Sequence, residues 1–325
     1  MKNALVALVA LTLLAVLADV IMLFQIRIDP WRLAALLVCL SLILGVFVGL
    51  TYPSLARQLR QWALTSAWVA MGMPFLLLVP YLIYALGTGA FSVMAIAKLA
   101  AYIAVPTLFL LPDRLQRAER VGWRDFAAML ALGLPISAGW LGGIWTWPQD
   151  IYIFRPLFCV CVGAYCFMVI RNLEGVGYRL GFHKGDLIDG VSNFLGFALL
   201  AIPLGLALGF IHPHGNQVSI AQVAFQLFGI YLTIAIPEEF LFRGILQNFL
   251  VKSIRRGRHG VYGLLIASVV FGASHLHHPP APNWKYGILA TLAGIFYGNA
   301  YRTRRRLSAP ALTHTLVDTV WHFWF

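Results

Sequence analysis

Apolar runs of about 20 residues recur along the chain, and short segments between them hold most of its charge. A run of that length crosses the hydrocarbon core of a bilayer as one helix. Inside that core a helix satisfies its own backbone hydrogen bonds. Only 11 % of the residues are charged and 60 % are hydrophobic, whereas a soluble domain carries about a quarter charged residues. The expected fold is all-α, a polytopic transmembrane helix bundle. The first run, Ala4–Phe24, follows Lys2 and resembles a signal peptide. It is long, carries Asp19, lacks a clear A-x-A site and is followed by more runs, so it reads as a first span. Ten more fall near 33–52, 62–86, 90–111, 126–146, 152–170, 191–211, 219–251, 261–277, 286–301 and 307–325, which makes about eleven.

The cations give the orientation. With the N-terminus in the cytoplasm, 18 of the 24 Lys and Arg fall in inner segments and four, Arg27, Arg32, Arg155 and Lys285, in outer ones. That alternation is the positive-inside pattern. The net charge of +12 therefore reflects membrane orientation, and no basic patch with interleaved aromatics points to nucleic acid. Lys98 and Asp19 are lone intramembrane charges, read as snorkelling or structurally paired groups. Cys39, Cys159, Cys161 and Cys166 all lie in apolar runs and read as small buried hydrophobes. The polar, Gly-punctuated stretch 181–190 reads as a linker between an N-terminal helical region, 1–185, and a C-terminal domain, 186–325. His212 and His214 read as residues of a solvated outer turn.

One stretch breaks the apolar pattern: Ile236-Pro237-Glu238-Glu239-Phe240-Leu241-Phe242-Arg243. Ionisable groups at membrane depth are costly and mark function by default. Glu239 and Arg243 are four apart and share a helix face, with the acid first, which is the favoured order. Glu238 lies about 100° round the helix and lacks that partner. The spacing thus predicts a structural Glu239–Arg243 ion pair and a reactive Glu238. The run 219–251 would make a straight helix of about 50 Å, longer than the hydrocarbon core of about 30 Å. The helix is expected either to break at Pro237 or to leave the membrane.

Two further clusters follow. Phe271 and His275 are four apart near the end of one span, with His277, His278, Pro279 and Pro280 beyond them. His314 and Asp318 are four apart in the last span, with His322 one turn further. Glu238, His275, His314 and Asp318 thus come from three helices, as bundle sites do. A carboxylate and an imidazole can hold and deprotonate water, and a second imidazole can stabilise an oxyanion. The same groups could instead bind a divalent metal such as zinc through Glu238, His275 and His314. The chain has neither H-E-x-x-H nor G-x-S-x-G.

Glu238-Glu239-x-x-x-Arg243, Phe271-x-x-x-His275 and His314-x-x-x-Asp318, in that order on separate spans, resemble the signature of the CAAX-prenyl-protease and bacteriocin-processing (CPBP) family of intramembrane proteases, over roughly 190–325. The resemblance implies an endopeptidase acting on a membrane-associated or C-terminally anchored peptide. By it Glu238 is the general base, assisted by His275. His314 and Asp318 form the oxyanion hole, and Glu239, Arg243 and Phe271 shape the site. The family's last motif often ends in Asn, so the role of Asp318 stays open: a protonated donor, an orienting group for His314, or a metal ligand. The implied partners are the lipid bilayer and a peptide or protein substrate. The expected location is a bacterial inner membrane. Two alternatives remain: a non-catalytic protein of the same fold, such as a bacteriocin-immunity factor or scaffold, and a proton-coupled transporter.

Overall fold

In the computed structural model the described residues are 29–116, 121–215, 217–254 and 259–325, and among them the chain is helical with no strand. The expected span Ala4–Phe24, with Lys2 and Asp19, lies outside these residues, as do Arg27, Arg117, Arg120, Arg255, Arg256 and Arg258. Five described helices are long and apolar enough to cross a membrane. The chain divides into two compact units, one comprising 122–173 with the described residues up to 116, the other beginning at Glu174 and running to Phe325.

Among the described residues the first unit holds six helices: α1 Pro30–Gly49, α2 Pro53–Thr65, α3 Ala67–Thr88, α4 Val93–Asp113, α5 Trp123–Ser137 and α6 Phe154–Ile170. Two of its features depart from the sequence expectation. The inner segment 53–61, between the expected spans 33–52 and 62–86, belongs to a helix that starts at Pro53 and ends at Thr65, and at its first position a proline's fixed φ and missing N–H cost nothing. Span 126–146 is helical only as far as Ser137.

Two arginines assigned to solvated inner segments point inward. Arg171 is buried and pairs with Asp125 at 2.7 Å. Arg60 donates to the carbonyls of Val169 and Ile170, both at 2.8 Å, at the end of α6. The last carbonyls of a helix lack intrahelical donors, and this guanidinium supplies them. Lys98 is tethered as well, donating to Gly142 O and lying 5.9 Å from the Trp140 ring centre. All four cysteines are buried and reduced.

The second unit holds α7 Lys184–Ala207, α8 Ile220–Ser253, α9 His259–Ser274, α10 Trp284–Arg304 and α11 Ser308–Trp324. Of the stretch read as a linker, 181–190, residues 184–190 form the start of α7. Asp186 accepts from His183 N at 2.9 Å and caps the first turn. The same carboxylate takes the Arg306 guanidinium at 3.0 Å, and Asp189 takes Arg304 at 2.6 Å. These pairs tie the first turn of α7 to the α10–α11 turn, so its polar residues hold the bundle together.

α8 opens on a reciprocal cap, in which Ser219 Oγ accepts from Gln222 N and the Gln222 side chain accepts from Ser219 N, a standard helix start. It does not break at Pro237. The turns Tyr231–Ala235 and Phe240–Gln247 are widened to the π form, on either side of Ile236–Glu239. Proline removes one helical donor, and wide turns let the helix continue around that gap. Such bulges occur often at functional sites.

α9 and α10 approach closely through glycine. A Cβ on Gly272 would stand 1.8 Å from Thr291 Oγ1 and 2.6 Å from Gly287 O, and one on Gly294 would stand 2.9 Å from Ser268 Cα. Small residues at such crossings let helix backbones meet in a membrane. Overpacking a tight core costs about 1–3 kcal/mol. Gly272→Ala should therefore lower the thermal unfolding midpoint in detergent, and Thr291→Ala should restore only part of it, because the Gly287 carbonyl also obstructs. An unchanged midpoint would contradict this close crossing.

Candidate active site

The site begins with two residues one turn apart on α8. Arg243 donates from Nη1 to Glu239 Oε1 at 3.0 Å, and both side chains are sealed from solvent, at 1 % and 0 % exposure. An uncompensated charge in such a place costs several kcal/mol, so further partners are needed, and α10 and α9 supply them. Arg243 Nη2 donates to Gly294 O at 3.3 Å. The guanidinium also rests on two rings, 4.5 Å from the Phe271 centroid and 5.1 Å from that of Tyr297, a cation–π arrangement that gains strength away from water.

α11 brings His314 to the same carboxylate. Nδ1 of His314 lies 2.9 Å from Glu239 Oε1, the oxygen that already accepts from Arg243. That oxygen is an acceptor twice over, so Nδ1 is the donor. The other ring nitrogen, Nε2, faces Asp318 Oδ2 at 3.4 Å and Glu238 Oε2 at 3.9 Å. A neutral ring donating at Nδ1 would turn a lone pair toward those two carboxylates. With both carboxylates ionised, the doubly protonated ring satisfies both edges.

Glu238 differs from its neighbour. Its side chain is 35 % exposed against 0 % for Glu239, although Oε2, like Oε2 of Glu239, is itself buried and accepts no hydrogen bond. A buried acceptor left unpaired costs free energy and calls for an explanation. Asp318 is also partly exposed, at 24 %. The layer of Glu239 and Arg243 is thus closed, and the layer of Glu238 and Asp318 is open.

His275 follows the last residue of α9 and is half-buried. Its Nδ1 is 2.8 Å from Phe271 O. A carbonyl only accepts, so Nδ1 carries the proton, and Nε2 is the basic nitrogen of the neutral ring. Phe271 joins the two histidines, with its ring 4.6 Å from that of His275 and 6.0 Å, edge-on, from that of His314. All seven motif residues, Glu238, Glu239, Arg243, Phe271, His275, His314 and Asp318, are therefore connected through these contacts. His322, on the same side in the sequence reading, is exposed, and no contact joins it to this cluster; its ring lies 4.9 Å from that of Phe323. His277 and His278 are exposed beyond α9.

Two ring residues escaped the sequence reading. Tyr297 stacks on His314, with centroids 4.6 Å apart and planes 17° from parallel. Tyr286, in the first turn of α10, packs edge-on against His275 at 4.8 Å and meets Trp321 at 5.4 Å. The chain holds 12 Tyr and 22 Phe, and nothing in the letters separates these two from the rest.

Zinc was the alternative use of Glu238, His275 and His314. Among the described residues no three His, Cys, Asp or Glu side chains are grouped to hold a metal ion. As placed, Glu238, His275 and His314 do not form such a group.

No curated protein and no solved structure matched the chain. A family model did match, over residues 219–320, less than half of the chain but including all seven motif residues. Its description is type II CAAX prenyl endopeptidase Rce1-like. Residues 219–320 of this helical chain are therefore similar to the Rce1-like branch of the CPBP protease family.

Proposed function

We propose that the protein is an intramembrane endopeptidase, and that the second unit carries the activity. Glu238 carries the reading, as the accessible carboxylate of the pair, 35 % exposed where Glu239 is sealed, with its unbonded Oε2 3.9 Å from His314 Nε2. Glu238 acts as general base. It takes a proton from a water whose oxygen attacks the scissile carbonyl carbon, and His275, with its basic Nε2, assists. Charge develops on the carbonyl oxygen, and His314 Nε2–H donates to it. When the C–N bond breaks, the leaving amine takes the proton back from Glu238.

Asp318 then stabilises the His314 cation as a neighbouring carboxylate, and the Nε2 proton turns to the carbonyl oxygen when substrate enters. A protonated Asp318 donating to the oxyanion is not required, because His314 already presents a donor. Glu239 and Arg243 fix the His314 ring and are sealed away from the reacting groups. The substrate is a membrane-associated or C-terminally anchored peptide, which reaches the reacting groups through the open layer at Glu238 and Asp318. The charge bias supports a cytoplasmic N-terminus and about eleven spans, in a bacterial inner membrane.

The test is direct. Protein reconstituted in liposomes is incubated with membrane peptides from cells lacking it, and new C-termini are read by mass spectrometry. The expected result is a set of new termini next to apolar segments. Their absence, with the protein folded and inserted, would overturn the proposal.

A further inference from the structure

Tyr297 lies on α10 between Gly294, whose carbonyl receives Arg243, and Gly298. It is 1 % exposed. Its ring is shared by the two cationic groups of the site. His314 lies flat on it at 4.6 Å and 17°, and the Arg243 guanidinium sits 5.1 Å from its centre. Phe271 also touches both, but it meets His314 edge-on at 86°.

The two kinds of contact restrain different motions. The bond from His314 Nδ1 to Glu239 fixes one edge of the imidazole. At 3.4 Å the contact with Asp318 is a looser restraint on the other. A ring held firmly at one edge can still tilt about that hydrogen bond, and tilting swings Nε2 out of the gap between Glu238 and Asp318. A flat ring against the face removes that freedom. For a doubly protonated imidazole the contact is attractive as well, with the cation over the negative face of the tyrosine.

We propose that Tyr297 is a positioning residue, whose ring face holds the His314 imidazole in the plane that aims Nε2 between Glu238 and Asp318. The role belongs to the ring face and not to the hydroxyl. This rests on the hydrolytic reading above, and its test is built to be read with or without turnover.

Tyr297→Phe keeps the face, and Tyr297→Leu keeps the apolar burial without it. On a peptide identified by the liposome assay, kcat of the Phe variant should stay within about twofold of wild type. In the Leu variant kcat should fall about ten- to a hundredfold, the scale of a small misplacement of a reacting group, with KM unchanged. The second readout needs no turnover. In protein labelled with 13C at histidine Cε1, the His314 signal, assigned by its loss in His314→Gln, should be shifted upfield by the stacked ring. That shift should persist in the Phe variant and vanish in the Leu variant. Should the Leu variant not fold, Tyr297→Met fills the site with a flexible chain and takes its place. Equal losses in the Phe and Leu variants, or a His314 signal indifferent to the Leu change, overturn the proposal. If wild type cleaves nothing, the hydrolytic reading fails and the signal still decides whether Tyr297 positions His314.

Discussion

Glu239→Leu should cost the protein about 3–5 kcal/mol of stability, the range for breaking a buried ion pair by removing one partner. The reason is what it leaves behind. Arg243 stays 1 % exposed with only a carbonyl and ring faces as partners, and His314 loses the acceptor of its Nδ1 proton. Replacing both members of a buried pair with apolar residues of similar volume is often neutral. Glu239→Leu with Arg243→Met should therefore recover part of that loss but not all of it, since His314 Nδ1 still lacks its acceptor, and should remain inactive because His314 is no longer held. Thermal unfolding in detergent micelles reads both. A single variant that melts with wild type would mean that this carboxylate is not buried as described.

The second large effect is expected at His314. It lies beside Glu239, Glu238 and Asp318, and it supplies the proposed donor to the oxyanion. Removing one such donor from a preorganised site costs about 10²–10³ in kcat. His314→Ala should show that loss with KM little changed, since the interaction develops with the transition-state charge. Full-rate cleavage by this variant would remove His314 from the chemistry and leave it a packing residue.

The motif residues were legible because helix periodicity converts sequence spacing into contact. Glu239 and Arg243, four apart, do meet, and His314 and Asp318, four apart, lie side by side. Contacts between helices were not legible. That Glu239 serves Arg243 and His314 through one oxygen depends on how α8 and α11 face each other, which no spacing within a helix encodes. Tyr297 was hidden for the same reason.

The polar stretch 181–190 misled because Gly and Asp mark a loop by composition, while Asp186 and Asp189 find Arg306 and Arg304 more than a hundred residues away. Arg60 and Arg171 misled similarly: an arginine beside a span counts toward topology, but its guanidinium can turn inward to helix-end carbonyls or to a buried acid. At Pro237 the sequence allowed a break, and widened turns on both sides kept the helix whole.

The account depends above all on Glu238. Glu238→Gln keeps the volume and removes the base, so in the liposome assay the variant should insert and melt as wild type does, yet produce none of the new peptide C-termini. If Glu238→Gln yields those termini at the wild-type rate, Glu238 is not the group that activates water.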